Sequence, residues 1–500
     1  MTHFRCLVLV SSAIFGLATG VAADDQRPNV VIILVDDMGY GDPGCYNAES
    51  KIPTLNIDSL AAAGMRFTDA HASGPLCHMS RYGLVTGRYP FRTDVSRWAR
   101  QPLIDDGATT IASLLKSQGY RTAMVGKWHL GFDESQGYER PLPGGPVDVG
   151  FDSYFGIRAS TDIPPYFYIR DRRAVQPPTN EIAANNSDGW SPIQGAFWRA
   201  GGIAPDLELK DVLPRFTDEA IDVIRDHADR QVDAREAQPL MLYLAYPAPH
   251  TPWLPSDAFV GTSQADMYGD FAVMVDTMIG RVLRALDSAG MAGNTLVVFA
   301  SDNGPTWYQK DVERFGHDSS GGLRGMKADA WEAGHRVPFV VRWPGKIQAG
   351  SVSDQLVSFV DLLATLAAIT DFELPDGAGP DSHDFSAVLL GTQPADQPVR
   401  TSLALQSGSG FMTIREGHWK LIEGLGSGGF SQPSRITPGT NDPPSQLYNL
   451  KDDPAETTNL YSQNPEVVGN LRRVLTEILA AERTRDPQQA GPAPVRKSVP

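Results

Sequence analysis

Four apolar runs constrain this chain more than any other feature, because each one stops at residues that carry chemistry. NVVIILV (29–35) leads into Asp36 and Asp37, and RTAMV (121–125) leads into Lys127 and His129. PLMLYLAY (239–246) leads into the segment bearing His250, and NTLVVFAS (294–301) into Asp302 and Asn303. Runs this apolar and this rich in β-branched residues predict strands buried on both faces. Between them lie the helical patterns TLNIDSLAAAG, TIASLLKSQGY, RFTDEAIDVIRDHADR and YGDFAVMVDTMIGRVLRALDSAG. Alternation of such strands and helices predicts an α/β fold, with a large, mostly parallel central sheet flanked by helices. Ligands of such sheets bind beyond the carboxyl ends of the strands, so the four polar endings are expected to converge.

A second constraint is SGPLCHMSRYGLVTGRYP (73–90). Ser73, Gly74 and Pro75 break the chain, and a helix is expected to start near Cys77 and stop at Gly87. Cys77 and Arg81, four apart, then share one helix face. A small side chain at a helix N-terminus beside a guanidinium sits in a positive field. Taken alone, Cys77 reads better as a small buried residue at a helix start. Asp36, Asp37, Asp302 and Asn303 offer only oxygen, which favours Ca²⁺ or Mg²⁺ over Zn²⁺. Arg81, Lys127 and Lys327, the last in GGLRGMKADAWEAG, would balance the acids and hold an anionic group. His129 and His250 are candidates for general base and acid. A soft thiolate suits a hard cation poorly, so Cys77 is either chemically changed or away from the metal.

Residues 1–23 read as a secretory signal, with Arg5, a short apolar core and Val21-Ala22-Ala23. No other stretch resembles a transmembrane anchor, and a periplasmic or secreted address is expected. The catalytic α/β domain is expected over 24–395, and a small antiparallel sheet with a helix over 396–485. LYNLKDDPAETTNL reads as a turn-rich connection, and 486–500 as a disordered tail. A net charge of −16 argues against a nucleic-acid partner. Beyond the signal only Cys45 and Cys77 remain, and a bridge between them is the lesser reading. Residues 140–210 read as long loops, the usual place for substrate contacts. Arg170, Arg172 and Arg173 within them read as a solvated cluster, and Asn185-Asn186-Ser187 as a glycosylation sequon.

Taken in order, VDDMGYGD, CHMSRYGLVTGR, GKWHLG, PHTPW, SDNG, LRGMKADAWEAG and LYNLKDDPAETTNL resemble the type I sulfatase family. That family is related to the arylsulfatases and to the alkaline-phosphatase-like superfamily. The resemblance runs from about Pro28 to Leu460 and implies the superfamily's sandwich fold. CHMSR resembles the family's Cys-x-Pro/Ala-x-Arg signature, with Met79 standing where the family has Pro or Ala. The resemblance implies that a maturation enzyme oxidises Cys77 to formylglycine, whose hydrated aldehyde is the nucleophile. It implies Ca²⁺ held by Asp36, Asp37, Asp302, Asn303 and the modified Cys77. Arg81 and Lys127 would hold the diol and His129 would assist its turnover. Lys327 and His250 would grip the sulfate, with Ser160 in GIRAS as a further sulfate contact. The implied substrate is a sulfated small molecule or polysaccharide fragment. Two rivals stay open: a phosphate or phosphonate ester hydrolase on the same fold, and a catalytically silent binding protein with unmodified Cys77.

Overall fold

The computed structural model describes residues 27–232 and 237–485. The expected signal and tail lie outside the described residues. Strand Asn29–Asp36 is the centre of a ten-stranded sheet. It pairs in parallel with Leu240–Pro249 on one side and Thr295–Ser301 on the other. Arg121–Lys127 and then Ser153–Ile157 extend the sheet, again in parallel. Every residue of Leu240–Pro249 and Thr295–Ser301 is buried. That accounts for continuous apolar runs where a half-exposed strand would alternate. Helices Leu55–Ala62, Val212–Val232 and Asp266–Ser288 form one packed group against the sheet. Cys77–Thr86, Ile111–Ser117 and Leu362–Ile369 form a second.

The sheet is parallel at its centre and mixed at its edges. Phe339–Arg342, the VPFVVRWP strand, runs antiparallel to Thr295–Ser301, and Met65–Phe67 runs antiparallel to it in turn. At the other edge, Ile169–Arg170 and Arg173–Ala174 form a tight hairpin. A two-residue reversal can join only antiparallel strands, because a parallel pair needs a crossover. The expected loop region thus contributes a buried sheet strand, Ser153–Ile157, and a small hairpin of Asn180–Ile182 with Gly201–Ile203. SYFGI was too short to register as an apolar run.

The C-terminal sheet is antiparallel throughout, in the order Ser402–Gln406, Met412–Glu416, Trp419–Ile422, Gln446–Asn449. Its fourth strand lies in LYNL, which the sequence reading assigned to a turn-rich connection. Val468, Leu471, Leu475 and Ile478 of helix Pro465–Ala480 pack on Leu403, Ile414, Leu421 and Leu447.

A buried seam of charge joins this sheet to the larger one. Lys420 Nζ lies 2.9 Å from both Glu332 and Glu456, and Arg415 grips Asp69 with both terminal nitrogens. Two histidines complete the seam. His335 Nε2 lies 3.3 Å from both the Lys420 ammonium, which can only donate, and the Ala330 carbonyl oxygen, which can only accept, and its Nδ1 faces His71 Nδ1 at 2.9 Å. His71 Nε2 lies 2.9 Å from Asp69 Oδ1 and 3.3 Å from a terminal nitrogen of Arg415. Burial pushes the pKa values of both rings below the ordinary histidine value. His71, Glu332 and His335 are close enough to share a cation, and the Lys420 ammonium already fills that role.

Candidate active site

The predicted convergence occurs. Asp36 closes its strand, Lys127 closes the Arg121–Lys127 strand, His250 follows Pro249, and Asp302 follows Ser301. All four lie at carboxyl ends of parallel strands. Asp37 then takes a left-handed backbone, with φ +65°, a conformation Asp tolerates better than most residues. Helix Cys77–Thr86 begins at Cys77 and ends on Gly87, whose φ of +63° makes it a left-handed cap. Cys77 and Arg81 share the helix face that meets Asp36. The Cys77 thiol donates to Asp36 Oδ1 at 3.5 Å, and Arg81 reaches Asp36 Oδ2 at 3.2 Å.

Three cations interleave with three carboxylates. Arg81 donates through Nε to Asp302 Oδ2 at 3.0 Å, and a terminal nitrogen lies 2.8 Å from the same oxygen. Lys127 Nζ donates to Asp36 and, at 2.6 Å, to Ser160 Oγ. Lys327 Nζ donates to Asp37 Oδ1 at 2.6 Å and to Cys77 Sγ at 3.2 Å. Asn303 donates through its amide to Asp37 Oδ1 at 2.7 Å. His250 Nδ1 faces the Thr251 carbonyl at 2.6 Å, which leaves Nε2 toward Asp37 at 3.7 Å.

The electrostatics follow from this arrangement. Burial works to raise the pKa of Asp36, but Lys127, His250, Arg81 and Lys327 outweigh it and hold the carboxyl far below the usual range. Burial, and next the charge of Asp36, push the Asp302 carboxyl up to about 6. Burial, and then Asp36, push the Cys77 thiol up to about 12, so at neutral pH it is a thiol and a poor nucleophile. Burial followed by Lys127 pushes His129 well below the ordinary histidine value. On an extended strand Lys127 and His129, two apart, would point the same way. The strand ends at Lys127, and His129 has φ +60°, so the two residues do not sit on one extended segment. Its ring lies edge-on to Trp98 at 4.3 Å, and both ring nitrogens are buried without hydrogen-bond partners.

The donor set fits a hard divalent cation. Ligand atoms of Asp36, Asp37, Cys77 and His250 lie within 4.8 Å of one another; the two carboxylates suit a hard cation, and the sulfur would suit it only once replaced by oxygen. Asn303 Oδ1 is buried with no hydrogen-bond partner, its amide nitrogen being fixed on Asp37. An orphaned carbonyl oxygen beside crowded carboxylates is the arrangement an additional positive charge relieves.

Elsewhere the loops behave as a scaffold surface. Arg170 pairs with Glu219 and Arg172 with Asp148, each at 2.7 Å and in solvent. Asn185 of the sequon is half-buried and donates to the Ala196 carbonyl. Cys45 and Cys77 are both free. Two polar residues of the pocket were missed. Thr306 Oγ1 donates to Asp37 Oδ2 at 3.4 Å, and Asp162 lies 3.9 Å from His250 Nδ1. Asp162 stands two residues beyond Ser160 and Thr306 three beyond Asn303, so proximity in sequence was the one available signal.

Carboxylates, an orphan amide oxygen and three cations around one side chain at a helix start define a site for hydrolysing the ester of an oxyanion. The family model described as Sulfatase matches residues 28–372. An N-acetylgalactosamine-6-O-sulfatase of Bacteroides thetaiotaomicron is 34% identical over 92% of this chain and 94% of its own length. Human arylsulfatase A is 33% identical, over 93% and 90% respectively. A solved structure from work on glycosaminoglycan metabolism by Bacteroides thetaiotaomicron superposes with a TM-score of 0.79. It is 32% identical, and the match covers 91% of this chain and 99% of that one. The chain belongs to the sulfatase family, and its reaction is the hydrolysis of sulfate esters.

Proposed function

We propose that this sulfatase removes sulfate from a sulfated carbohydrate through a formylglycine made from Cys77, with Ca²⁺ bound beside it. A 6-O-sulfated hexosamine is the substrate that the N-acetylgalactosamine-6-O-sulfatase relative favours. The observation that carries the mechanistic reading is the position of Cys77 Sγ, 3.2 Å from Lys327 Nζ and 3.5 Å from Asp36 Oδ1. A neutral thiol so placed does no chemistry, whereas an oxygen on the same carbon would meet a cation on one side and a carboxylate on the other. The hydrated aldehyde supplies the attacking hydroxyl and a second hydroxyl whose collapse expels sulfate. Asp36, Asp37, Asp302 and Asn303, with an oxygen at position 77, would hold the cation, which supplies positive charge against the sulfate and the nucleophile.

The remaining roles belong to the chain's own side chains. Arg81 and Lys127 orient the carboxylates and steady the group at position 77. Lys327 and Ser160 bind sulfate oxygens. His250 carries a proton on Nε2 to the departing alcohol oxygen, and neutral His129 accepts one when the aldehyde reforms. The expected secretory signal points to a periplasmic or secreted enzyme that meets polysaccharide fragments. Maturation requires a formylglycine-generating enzyme.

The test is co-expression with such an enzyme, followed by peptide mass spectrometry and turnover of 4-nitrophenyl sulfate and 4-nitrophenyl phosphate. A mass loss of about 18 Da at Cys77 marks the thiol-to-aldehyde change, and the sulfate ester is the better substrate. Strong preference for phosphate overturns the sulfate assignment, and an unmodified, inactive protein favours the silent homologue.

A further inference from the structure

The loop that carries Lys327 is held in large part from the C-terminal sheet. At its start a terminal nitrogen of Arg324 donates to the Glu456 carbonyl at 2.5 Å. At its end Trp331 Nε1 donates to Gln446 Oε1 at 3.1 Å, and the Glu332 amide to Glu456 Oε2 at 2.6 Å. Between them Ala328 takes a left-handed backbone, with φ +73°, uncommon for a residue with a Cβ. Its carbonyl accepts from Gly408 N at 2.8 Å, and a Cβ on Gly429 would stand 2.3 Å from its carbonyl carbon. Asp329, with no exposed surface, closes this stack. Its Oδ2 accepts from Met326 N at 2.9 Å and its Oδ1 from Ser431 N at 3.1 Å. The first amide is next to Lys327, and the second lies in the loop between strands Trp419–Ile422 and Gln446–Asn449. No cation pairs with this carboxylate among the described residues, so no opposite charge offsets the cost of burying it. An asparagine would bring one acceptor oxygen where two are used.

We propose that Asp329 is a positioning residue for Lys327: by tying Met326 to Ser431 it sets where the ammonium stands between Cys77 and Asp37. This rests on the reading of Lys327 as a sulfate-binding group and deepens it. Lys327 Nζ lies 3.2 Å from Cys77 Sγ and 2.6 Å from Asp37 Oδ1. A lysine side chain is long and flexible, so contacts this short persist only where the backbone it reaches from is fixed. Here the backbone is fixed from two sides. Pro75, in the Cys77 segment, accepts from Ala328 N at 2.8 Å, and Asp329 and Gly408 hold the loop to the C-terminal sheet. That sheet thereby acts on the chemistry through Lys327, without a side chain of its own on the nucleophile.

The experiment measures kcat/KM on 4-nitrophenyl sulfate, per formylglycine counted by mass spectrometry. The proteins are wild type, Asp329→Asn, Lys327→Ala and the double variant. Asp329→Asn is expected to lower kcat/KM on the order of ten- to a hundredfold, the scale of loss that a misplaced group brings. In the Lys327→Ala background the same change is expected to cost less than about twofold, because no ammonium is left to misplace. A loss by the same factor in both backgrounds marks a purely structural residue and overturns the assignment alone, as does Asp329→Asn at the wild-type rate. Lys327→Ala at the wild-type rate overturns the reading of Lys327 and the assignment with it. Should Asp329→Asn fail to fold, Gly429→Ala carries the same comparison from the C-terminal side, since its Cβ has to shift Ala328.

Discussion

Lys327 and Cys77 stand 250 positions apart in the chain, yet Lys327 Nζ donates to Cys77 Sγ at 3.2 Å. The same ammonium holds Asp37 at 2.6 Å. Lys327 thus touches both the position of the nucleophile and an expected metal ligand. Replacing it by alanine is expected to cut kcat/KM on 4-nitrophenyl sulfate by about 10²–10³-fold, the usual cost of losing a preorganised cationic donor. A melting curve alongside the assay separates this from unfolding, and a folded variant at the wild-type rate would remove Lys327 from the chemistry.

Metal dependence is tested at Asp302. Asp302→Asn keeps the shape that Arg81 packs against and removes one negative charge. The variant is expected to lose bound divalent metal by elemental analysis, and activity with it. Chelation should silence the wild type, and Ca²⁺ should restore it better than Mg²⁺. Full activity after chelation would contradict the site.

Conversion of Cys77 is tested from the neighbouring Met79. In helix Cys77–Thr86 the Met79 amide belongs to the first turn, where no intrahelical acceptor exists, and the first intrahelical bond is Ser80 to Leu76. Proline is therefore tolerated at position 79. Met79→Pro and Met79→Ala are expected to fold and to raise the fraction of chains showing the formylglycine mass. Cys77→Ala is expected to fold with no turnover. Conversion lower in both Met79 variants than in wild type would show that methionine is the better residue here.

The histidines set a pH dependence of stability. His71, His335 and His129 are pushed below their ordinary value of 6.5 by burial, and burial pushes His78, His227 and His383 down to about 4. Each binds a proton more readily in the unfolded chain, so stability falls as pH drops below about 6.5, by about 1.4 kcal/mol per pH unit for each group. Burial acts oppositely on Glu456, pushed up to about 7, and on Asp302 and Asp329, pushed up to about 6. These acids gain protons first in the folded state, but the histidines outnumber them. The melting temperature is expected to fall between pH 7 and pH 5; a flat profile would show that those rings are not neutral.

Lys420 neutralises two buried acids, Glu332 and Glu456, each at 2.9 Å. Lys420→Met takes that cation from both acids, leaving Glu332 with Arg336 at 3.4 Å, and is expected to destabilise the protein by about 3–5 kcal/mol in urea titration. Activity should fall too, because Ala330 N donates to the Ser427 carbonyl and Gly408 N to that of Ala328, tying the Lys327 loop to the C-terminal sheet.

Strand ends were the legible part of this site. A buried parallel strand announces itself as an unbroken apolar run, and Asp36, Lys127, His250 and Asp302 follow directly from where those runs stop. The Cys77 helix was legible through its Gly87 stop. The edge strands were not, since two or three residues such as Ile169–Arg170 carry no period. Nor was Asp329, whose significance is a carboxylate shared between two loops, a property of the folded protein alone. The ion seam escaped for a similar reason. Asp69, Glu332, Lys420 and Glu456 look like surface charges until two sheets close over them.

The backbone amide of Ala328 donates to the carbonyl of Pro75 at 2.8 Å, and from Cys77 to Thr86 only His78 is not buried. This closure sets a clock. While the second half of the chain is still being made, the Cys77 segment has no lid, so the modifying enzyme proposed above would meet it as a bare peptide. Once the 328 segment has been synthesised and has settled, that opportunity ends. A polypeptide that folds too early would then be sealed with its sulfur intact.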